Sequence, residues 1–556
     1  MGIPSYFSYV LKNNRDILKK LGQYGISVDN FYMDCNSVIY DTYYKLMKEQ
    51  QIQNKVDFEK KLINGVCVKI EEYINTINPN KKTMICFDGV APVAKLKQQK
   101  ERRYKSSVEK AVSNYYKNIL DQSTQKQDSN KQIQWDRAAI TPGTQFMKNL
   151  GNGVKNYFYR NKNIVVSASD EVGEGEHKIF NDMRVNKSSI SSDVNVVYGL
   201  DADLIMLAIN HLPVCKKIYL YRETPEFIKS IDSGLEPNES YLMDIPTFAH
   251  ELIYKLNNTR KISSKQEIYR KYDYMFICFM LGNDFMPHFP SINIRYGGAD
   301  ILTSVYSNLF SSTNKNITNG KKIYWGNFKK FVSELAANEH KYILDNYKIR
   351  ENLERKNFNL KMDGTPHNDL IEEKMNKLLH MPVKRREIER YIDPKKEYWK
   401  ERYYECLFGE KRSNDLLRRV CVNYLEGLEW TLNYYSSDCK HWKWKYNYSY
   451  PPLLCDLVKY IPTWECDMID DSMIDELGEN KPVNEMTQLG FVLPYNSMNL
   501  LPDKISNYVI HNNICKKSYD IHWSYCRYYW ESHVNFDGVD FDEMEQDIQE
   551  ILTTVN

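Results

Sequence analysis

Seven carboxylates stand out for where they fall in the sequence. Asp34, Asp88, Glu174, Glu176, Asp201, Asp203 and Asp284 lie far apart along the chain, yet most follow a short apolar run or open a helical stretch. Gathered at one sheet edge they would repel one another, and they could not all ionise unless cations were bound among them. An all-oxygen set without His or Cys suits Mg²⁺ or Mn²⁺ rather than zinc. Two such ions about 3.5–4 Å apart clamp the attacking and leaving oxygens of phosphodiester cleavage. A single Asp after a strand is more often a turn former or helix cap. The set of seven is what points to chemistry.

A basic stretch supplies a second element. On a helix, Lys95, Gln99, Arg102 and Arg103 occupy i, i+4, i+7 and i+8, within an arc of roughly 100°. Three cations and an amide on one face could distinguish a terminal monophosphate, which has more charge and more free oxygens, from an internal phosphodiester. A solvated basic face is the plainer alternative. Lys97 and Lys100 point elsewhere, as solubilising residues would. Aromatic residues are the third element. Tyr40 lies six positions after Asp34, and Trp442 and Trp444 lie in the distal third. Bases stack on such rings at roughly 1–3 kcal/mol each, although most Trp side chains are simply core.

The elements that must position these groups are legible as apolar runs. Phe31-Tyr32-Met33 precedes Asp34, and Thr83 to Phe87 precedes Asp88. Ile164-Val165-Val166 comes before Asp170 and the Glu174/Glu176 pair, Val194 to Leu200 leads into Asp201, and Ile218 to Tyr221 is a further candidate. Strands alternating with helical stretches predict a mainly parallel, twisted sheet with helices on both faces, an α/β core whose ligands gather beyond the carboxyl ends of the strands. At 556 residues the chain exceeds a single core of about 250–300, so further structure is expected. We divide it into a nuclease-like core over 1–348, a charged linker over 349–397, and an aromatic, mostly helical region over 398–556 packed on the core. Lys384-Arg385-Arg386 in the linker reads as a solvated face, with a nuclear-localisation signal as the minor alternative.

Composition sets the limits. Hydrophobic residues at 42% and charged ones at 27% exclude general disorder. Lys and Arg number 75 against 73 Asp and Glu, so a histone-like basic coat is excluded and any nucleic-acid contact must be local. The 12 Cys are scattered without a CxxC, as in a reduced intracellular protein. No apolar run approaches the roughly 18 residues of a membrane span, and no signal peptide is evident. A soluble, intracellular protein with no membrane association is expected.

Together these stretches resemble the Xrn family of 5′→3′ exoribonucleases. The likeness lies in Met1-Gly2-Ile3-Pro4, Phe87-Asp88-Gly89-Val90-Ala91-Pro92, Ala94-Lys95, Gln98-Gln99, Arg102-Arg103 and Ile140-Thr141-Pro142-Gly143-Thr144. It continues through Gly173-Glu174-Gly175-Glu176-His177-Lys178-Ile179, Tyr198 to Leu207 and Leu281-Gly282-Asn283-Asp284-Phe285. The distal part matches in Trp399 to Tyr404, Tyr424 to Trp430, Trp442-Lys443-Trp444, Val492-Leu493-Pro494 and Leu500-Leu501-Pro502. The resemblance implies a flap-nuclease or PIN-like core and processive hydrolysis of single-stranded RNA from a 5′-monophosphate end with divalent metal, in RNA degradation and mRNA decay. It also implies that all seven carboxylates are metal ligands and that Lys95, Gln99, Arg102 and Arg103 form the 5′-phosphate pocket, with Pro92 beside its entrance.

Three departures bear on this. Tyr40 stands where the family usually has a stacking His, so stacking survives without imidazole chemistry. Glu171-Val172 replaces the family's Val-Pro before Gly173. The chain ends at Asn556 without the long C-terminal modules of the large cytoplasmic members, so binding of partners through such modules is not expected. A monomer with no obligate protein partner is expected, the cytoplasm favoured and the nucleus left open. Two other functions stay open. A 5′ DNA or flap-type nuclease would share the acidic edge but lack the region beyond 398. A catalytically dead RNA-binding scaffold would have lost a carboxylate.

Overall fold

The computed structural model describes residues 2–23, 25–49, 52, 54–123, 135–225, 228–229, 231–259, 262–356, 366–469 and 480–553. The apolar runs form the centre of a seven-stranded sheet: β1 Leu18–Lys20, β2 Asn30–Asp34, β3 Lys82–Cys86, β4 Ile164–Ser167, β5 Val194–Tyr198, β6 Lys217–Glu223 and β7 Ser240–Asp244. Their spatial order is β1-β7-β6-β5-β2-β3-β4. From β4 to β6 the neighbours are parallel, while β7 pairs antiparallel with both β6 and β1. The parallel strands are the ones the sequence predicts. The two antiparallel additions were not foreseen.

Strand β2 is buried along its whole length, as central parallel strands are. Its alternating side chains feed two cores. Phe31 and Met33 pack with Ile85, Val196 and the helices Asn36–Glu49, Lys55–Ile77 and Gln145–Phe158 on one face. Tyr32 packs with Met84, Val197 and the helices Gly175–Val185, Asp203–His211 and Ser264–Cys278 on the other. The chain runs outward from β2 to β4, then returns beside β2 to lay down β5 and β6. Strand order therefore reverses between β2 and β5, the crevice where open parallel sheets hold ligands.

The aromatic region packs on this core, as expected. Tyr424, Leu425, Leu428, Trp430 and Leu432 of helix Asn414–Ser436 belong to the same hydrophobic cluster as Tyr32 and Val197. Val90, Val93 and Leu96 share another cluster with Leu489, Val492, Ile505 and Met544 from the last part of the chain. The charged stretch carries the end of helix Trp325–Arg355 and the helices Pro366–Leu379, Met381–Lys384 and Glu387–Ile392. Gly364 and Thr365 lie outside the described residues. Buried Arg350 and Arg386 both pair with Glu389, at 2.5 and 2.8 Å, and Lys384 Nζ donates to the Glu354 and Lys356 carbonyls. Arg386 and Lys384 are thus engaged internally rather than solvated. All twelve cysteines are unpaired thiols. No helix among the described residues is long and apolar enough to cross a membrane.

Candidate active site

Each carboxylate is delivered by the end of an element. Asp34 is the last residue of β2, and Asp88 lies two positions past β3. Asp201 follows β5 by three residues, and Asp203 opens helix Asp203–His211. Glu174 caps helix Gly175–Val185, and Glu176 lies in its first turn. Asp284 follows the short turn Phe279–Leu281.

Close backbone approach makes the convergence possible. A Cβ on Gly175 would sit 2.6 Å from Asp34 Oδ1, so only glycine lets this helix start against β2. The Gly175 amide donates to Asp88 Oδ1 at 2.8 Å. Asn36 holds the other Asp88 oxygen through its side-chain amide and accepts from the Asp88 N–H at 3.2 Å. Lys178 Nζ donates to the carbonyls of Phe87 and Ala168, both at 2.8 Å, and so ties together the segments leaving β3 and β4.

Ligand oxygens of Asp34, Asp88 and Glu176 all lie within 4.8 Å of one another. Asp34, Glu174, Glu176, Asp203 and Asp284 are buried. Burial, then repulsion from Asp88 and Asp201, pushes the Asp34 carboxyl well above the usual range. Burial and Glu174 do the same to Glu176, and burial lifts Asp203 to about 7. The buried oxygens Asp34 Oδ1 and Asp203 Oδ1 accept no hydrogen bond from the described residues. A cluster of hard oxygen donors with orphaned atoms, in which Asp34, Glu176 and Asp203 have raised pKa values, is one that a divalent cation would relieve, so these residues fit such an ion.

One cation is already built in. Lys95 Nζ lies 2.6 Å from Glu174 Oε1 and 2.5 Å from Asp284 Oδ2. Burial disfavours its charge, but Asp284 and Glu174 outweigh that and hold it well above its ordinary pKa. Burial likewise opposes ionisation of Asp284, yet Lys95 holds that carboxyl well below the usual range.

The predicted basic face is only partly shared. Gln99 is buried with its Oε1 unpartnered. Arg103 is half-buried and fixed on Thr141 Oγ1 at 2.9 and 3.1 Å, and burial followed by Arg102 lowers its pKa to about 10. Arg102 itself is exposed. Pro92 is buried, and its carbonyl accepts from the Lys95 amide at 2.8 Å. Tyr40 is half-buried on the core beneath. Trp442 is half-buried, its carbonyl accepting from Val93 N–H at the start of helix Val93–Ser123, which carries Lys95 to Arg103. Trp444 lies in the interior, stacked on Trp430 at 5.3 Å and donating to Glu426.

Two expectations fail here. Lys100 is buried rather than solvated: its Nζ donates to the Ile514 carbonyl at 2.6 Å and lies 4.2 Å from the Phe491 ring. Lys97 is half-buried and donates to Ser449 Oγ at 3.1 Å. The distal region covers the side of the helix that its own periodicity leaves for water.

Sequence reasoning also missed Tyr434. Its hydroxyl donates to Glu174 Oε2 at 2.9 Å, and its ring is stacked between His177 at 4.5 Å and Trp430 at 5.0 Å. One tyrosine among 43 carries no signal of its own. Only its four-residue spacing from Trp430 in a helix hinted at a shared face.

Comparison with known proteins agrees with this geometry. A family model described as the XRN 5′-3′ exonuclease N-terminus matches residues 1–224, and one described as the Xrn1 helical domain matches 270–389 and 386–514. The chain is similar to 5′-3′ exoribonuclease 2 of Arabidopsis thaliana, with 25% identity over 86% of this chain and 57% of the relative. Similar too are 5′-3′ exoribonuclease 1 of Saccharomyces cerevisiae, 25% identical over 90% of this chain and 40% of the relative, and of Homo sapiens, 26% over 90% and 31%. The chain therefore spans between about a third and three fifths of the length of these relatives.

Proposed function

Because the chain belongs to the Xrn family, we propose that it is a processive 5′→3′ exoribonuclease, hydrolysing 5′-monophosphorylated single-stranded RNA to mononucleotides in RNA decay. The observation that carries the reading is the convergence of seven carboxylates, two with orphaned buried oxygens, where strand order reverses, beside Lys95, Gln99 and Arg103.

Asp34, Asp88, Glu174, Glu176, Asp201, Asp203 and Asp284 would hold two Mg²⁺ or Mn²⁺ ions. When bound, such ions lower the pKa of water and offset charge on a phosphodiester under attack. The chain's own groups do the rest. Lys95 pairs with Glu174 and Asp284, holding both in place and keeping Asp284 ionised. Gln99, Arg102 and Arg103 bind the terminal phosphate through charge-assisted hydrogen bonds, which fix where the first linkage lies. Tyr40 and the half-buried Trp442 stack the leading bases, while Trp444 lies in the core against Trp430.

The test is purified protein with 5′-monophosphate, 5′-hydroxyl and 5′-triphosphate RNA and matched DNA, with and without Mg²⁺. Mononucleotide release from monophosphate RNA, only with the metal, is the expected result. Preference for DNA would make it a DNA nuclease, and binding without cleavage a scaffold.

A further inference from the structure

A cavity of about 520 Å³ adjoins the acidic cluster, well within the range of about 300–1,000 Å³ for small-molecule sites. Asp201 and Asp284 line it, but Asp34, Asp88, Glu174 and Glu176 do not. Lys95, Gln99, Arg103, Tyr40 and Trp442 are also absent from its walls. Helix Val93–Ser123 turns a different stripe toward it, including Ala94, Lys97, Gln98 and Glu101, and shares with the phosphate-binding face only the exposed Arg102 at the rim. The cavity therefore meets the acidic cluster from a side separate from the one expected to receive RNA.

Its walls suit one class of molecule. Lys97, Arg102 and Lys445 supply cations, and Tyr446, Tyr448 and Trp530 supply rings. Apart from Asp201 and Asp284, the acids on the walls are already engaged: Glu531 pairs with Arg295 at 2.5 Å, and Glu101 accepts from the Val534 amide at 3.2 Å. Cations and aromatic faces together recognise a phosphate joined to a base.

On the reading above, each cycle leaves a nucleoside 5′-monophosphate against the carboxylates, and it must depart before the strand advances. In a processive enzyme the way in is filled by the remaining RNA. We propose that this cavity is the exit chamber for the nucleoside 5′-monophosphate, which passes from Asp201 and Asp284 along Lys97, Arg102 and Lys445 to solvent. The inference rests on the exoribonuclease assignment, but it concerns product departure rather than bond cleavage.

Two variants plug the chamber from opposite walls without touching the acidic cluster: Ser8→Trp in the first helix and Ser449→Trp in the distal region. Rapid-quench kinetics on end-labelled monophosphate RNA separates the first cleavage from those that follow. Release of the first nucleotide from its chain should stay within about twofold of wild type, while successive cleavages slow at least tenfold, giving a burst of one nucleotide per enzyme. Melting temperature reports whether each variant folds, and Ser449→Leu, with less added bulk, serves if either tryptophan variant melts early. Unchanged successive rates in a folded variant overturn the inference. So does equal slowing of the first cleavage, which would make the chamber part of the substrate path. Failure of wild-type protein to cut RNA at all would instead overturn the exoribonuclease assignment.

Discussion

The hydroxyl of Tyr434 meets Glu174 Oε2 at 2.9 Å, joining residues 260 positions apart. The distal region thus does more than cover the sheet, because it orients one of the seven carboxylates. Hydrogen bonds to metal-ligating groups typically change affinity about 10–100-fold when removed. Tyr434→Phe keeps the ring between His177 and Trp430 and deletes only the donor. Calorimetric titration with Mn²⁺ should show affinity at least about tenfold weaker, with little change in melting temperature. Unaltered affinity would mean that the hydroxyl merely fills space.

On the proposed reading, Asp203→Ala and Asp201→Ala should each abolish cleavage while RNA binding persists, since ions held there would act on the scissile phosphate and the strand would be held elsewhere. Asp203 is buried among like charges, and burial lifts its pKa to about 7. Its removal relieves repulsion, so the metal-free protein should melt no lower than wild type. Full Mg²⁺-supported activity of Asp203→Ala would sink the assignment.

Much of this site is legible in the sequence because parallel strands deliver their next residues to one edge. Asp34, Asp88 and Asp201 are readable as post-strand carboxylates, and Glu174 and Glu176 as the start of a helix. What local periodicity does not carry is what another part of the chain covers. Lys100 reads as solvated on its own helix, yet Phe491 and Ile514 enclose it. Tyr434 looks like any other tyrosine until the fold brings it to Glu174. Edge strand β1 is only three residues long, too short to show alternation.

End selection should follow the helix face. A 5′-hydroxyl leaves Arg102 and Arg103 without their anion, so such RNA should be cut at least about tenfold more slowly, a difference of about 1.4 kcal/mol. A triphosphate should also be refused if Pro92 stands beside the pocket's entrance, as the proposed reading has it. Arg102→Ala or Arg103→Ala should narrow the preference by slowing only the monophosphate substrate. Lys110→Ala, exposed further along the helix, is the control. Equal wild-type rates on 5′-hydroxyl and 5′-monophosphate RNA would remove the pocket.

Glu429 gives a stability prediction independent of metal. Burial raises its carboxyl from 4.5 to about 7, and its Oε2 accepts from the Met468 amide at 2.8 Å. The folded chain keeps this proton where the unfolded chain loses it, so stability is greatest below the unfolded pKa and declines as pH rises toward the folded one. Relative to Glu429→Gln, which keeps an acceptor and does not titrate, wild type should lose on the order of 1–3 kcal/mol between about pH 5 and 8. Denaturant melts across that range measure it. Parallel pH curves for the two proteins would contradict it.

The shared cluster of Tyr32, Val197, Leu425 and Trp430 argues that the sheet cannot be separated from the distal region. A fragment of residues 1–348 should be insoluble or inactive. A soluble fragment with wild-type turnover would make the distal region an accessory.

The contact between Glu174 and Tyr434 also sets a clock on synthesis. A ribosome making this protein finishes the carboxylate set once Asp284 emerges, but the hydroxyl that steadies Glu174 arrives 150 residues later. The apolar face meant for helix Asn414–Ser436 stays open for the same interval. The half-made chain therefore carries its acids without the group that orders them, and the acidic edge is completed only after Tyr434 has emerged from the ribosome.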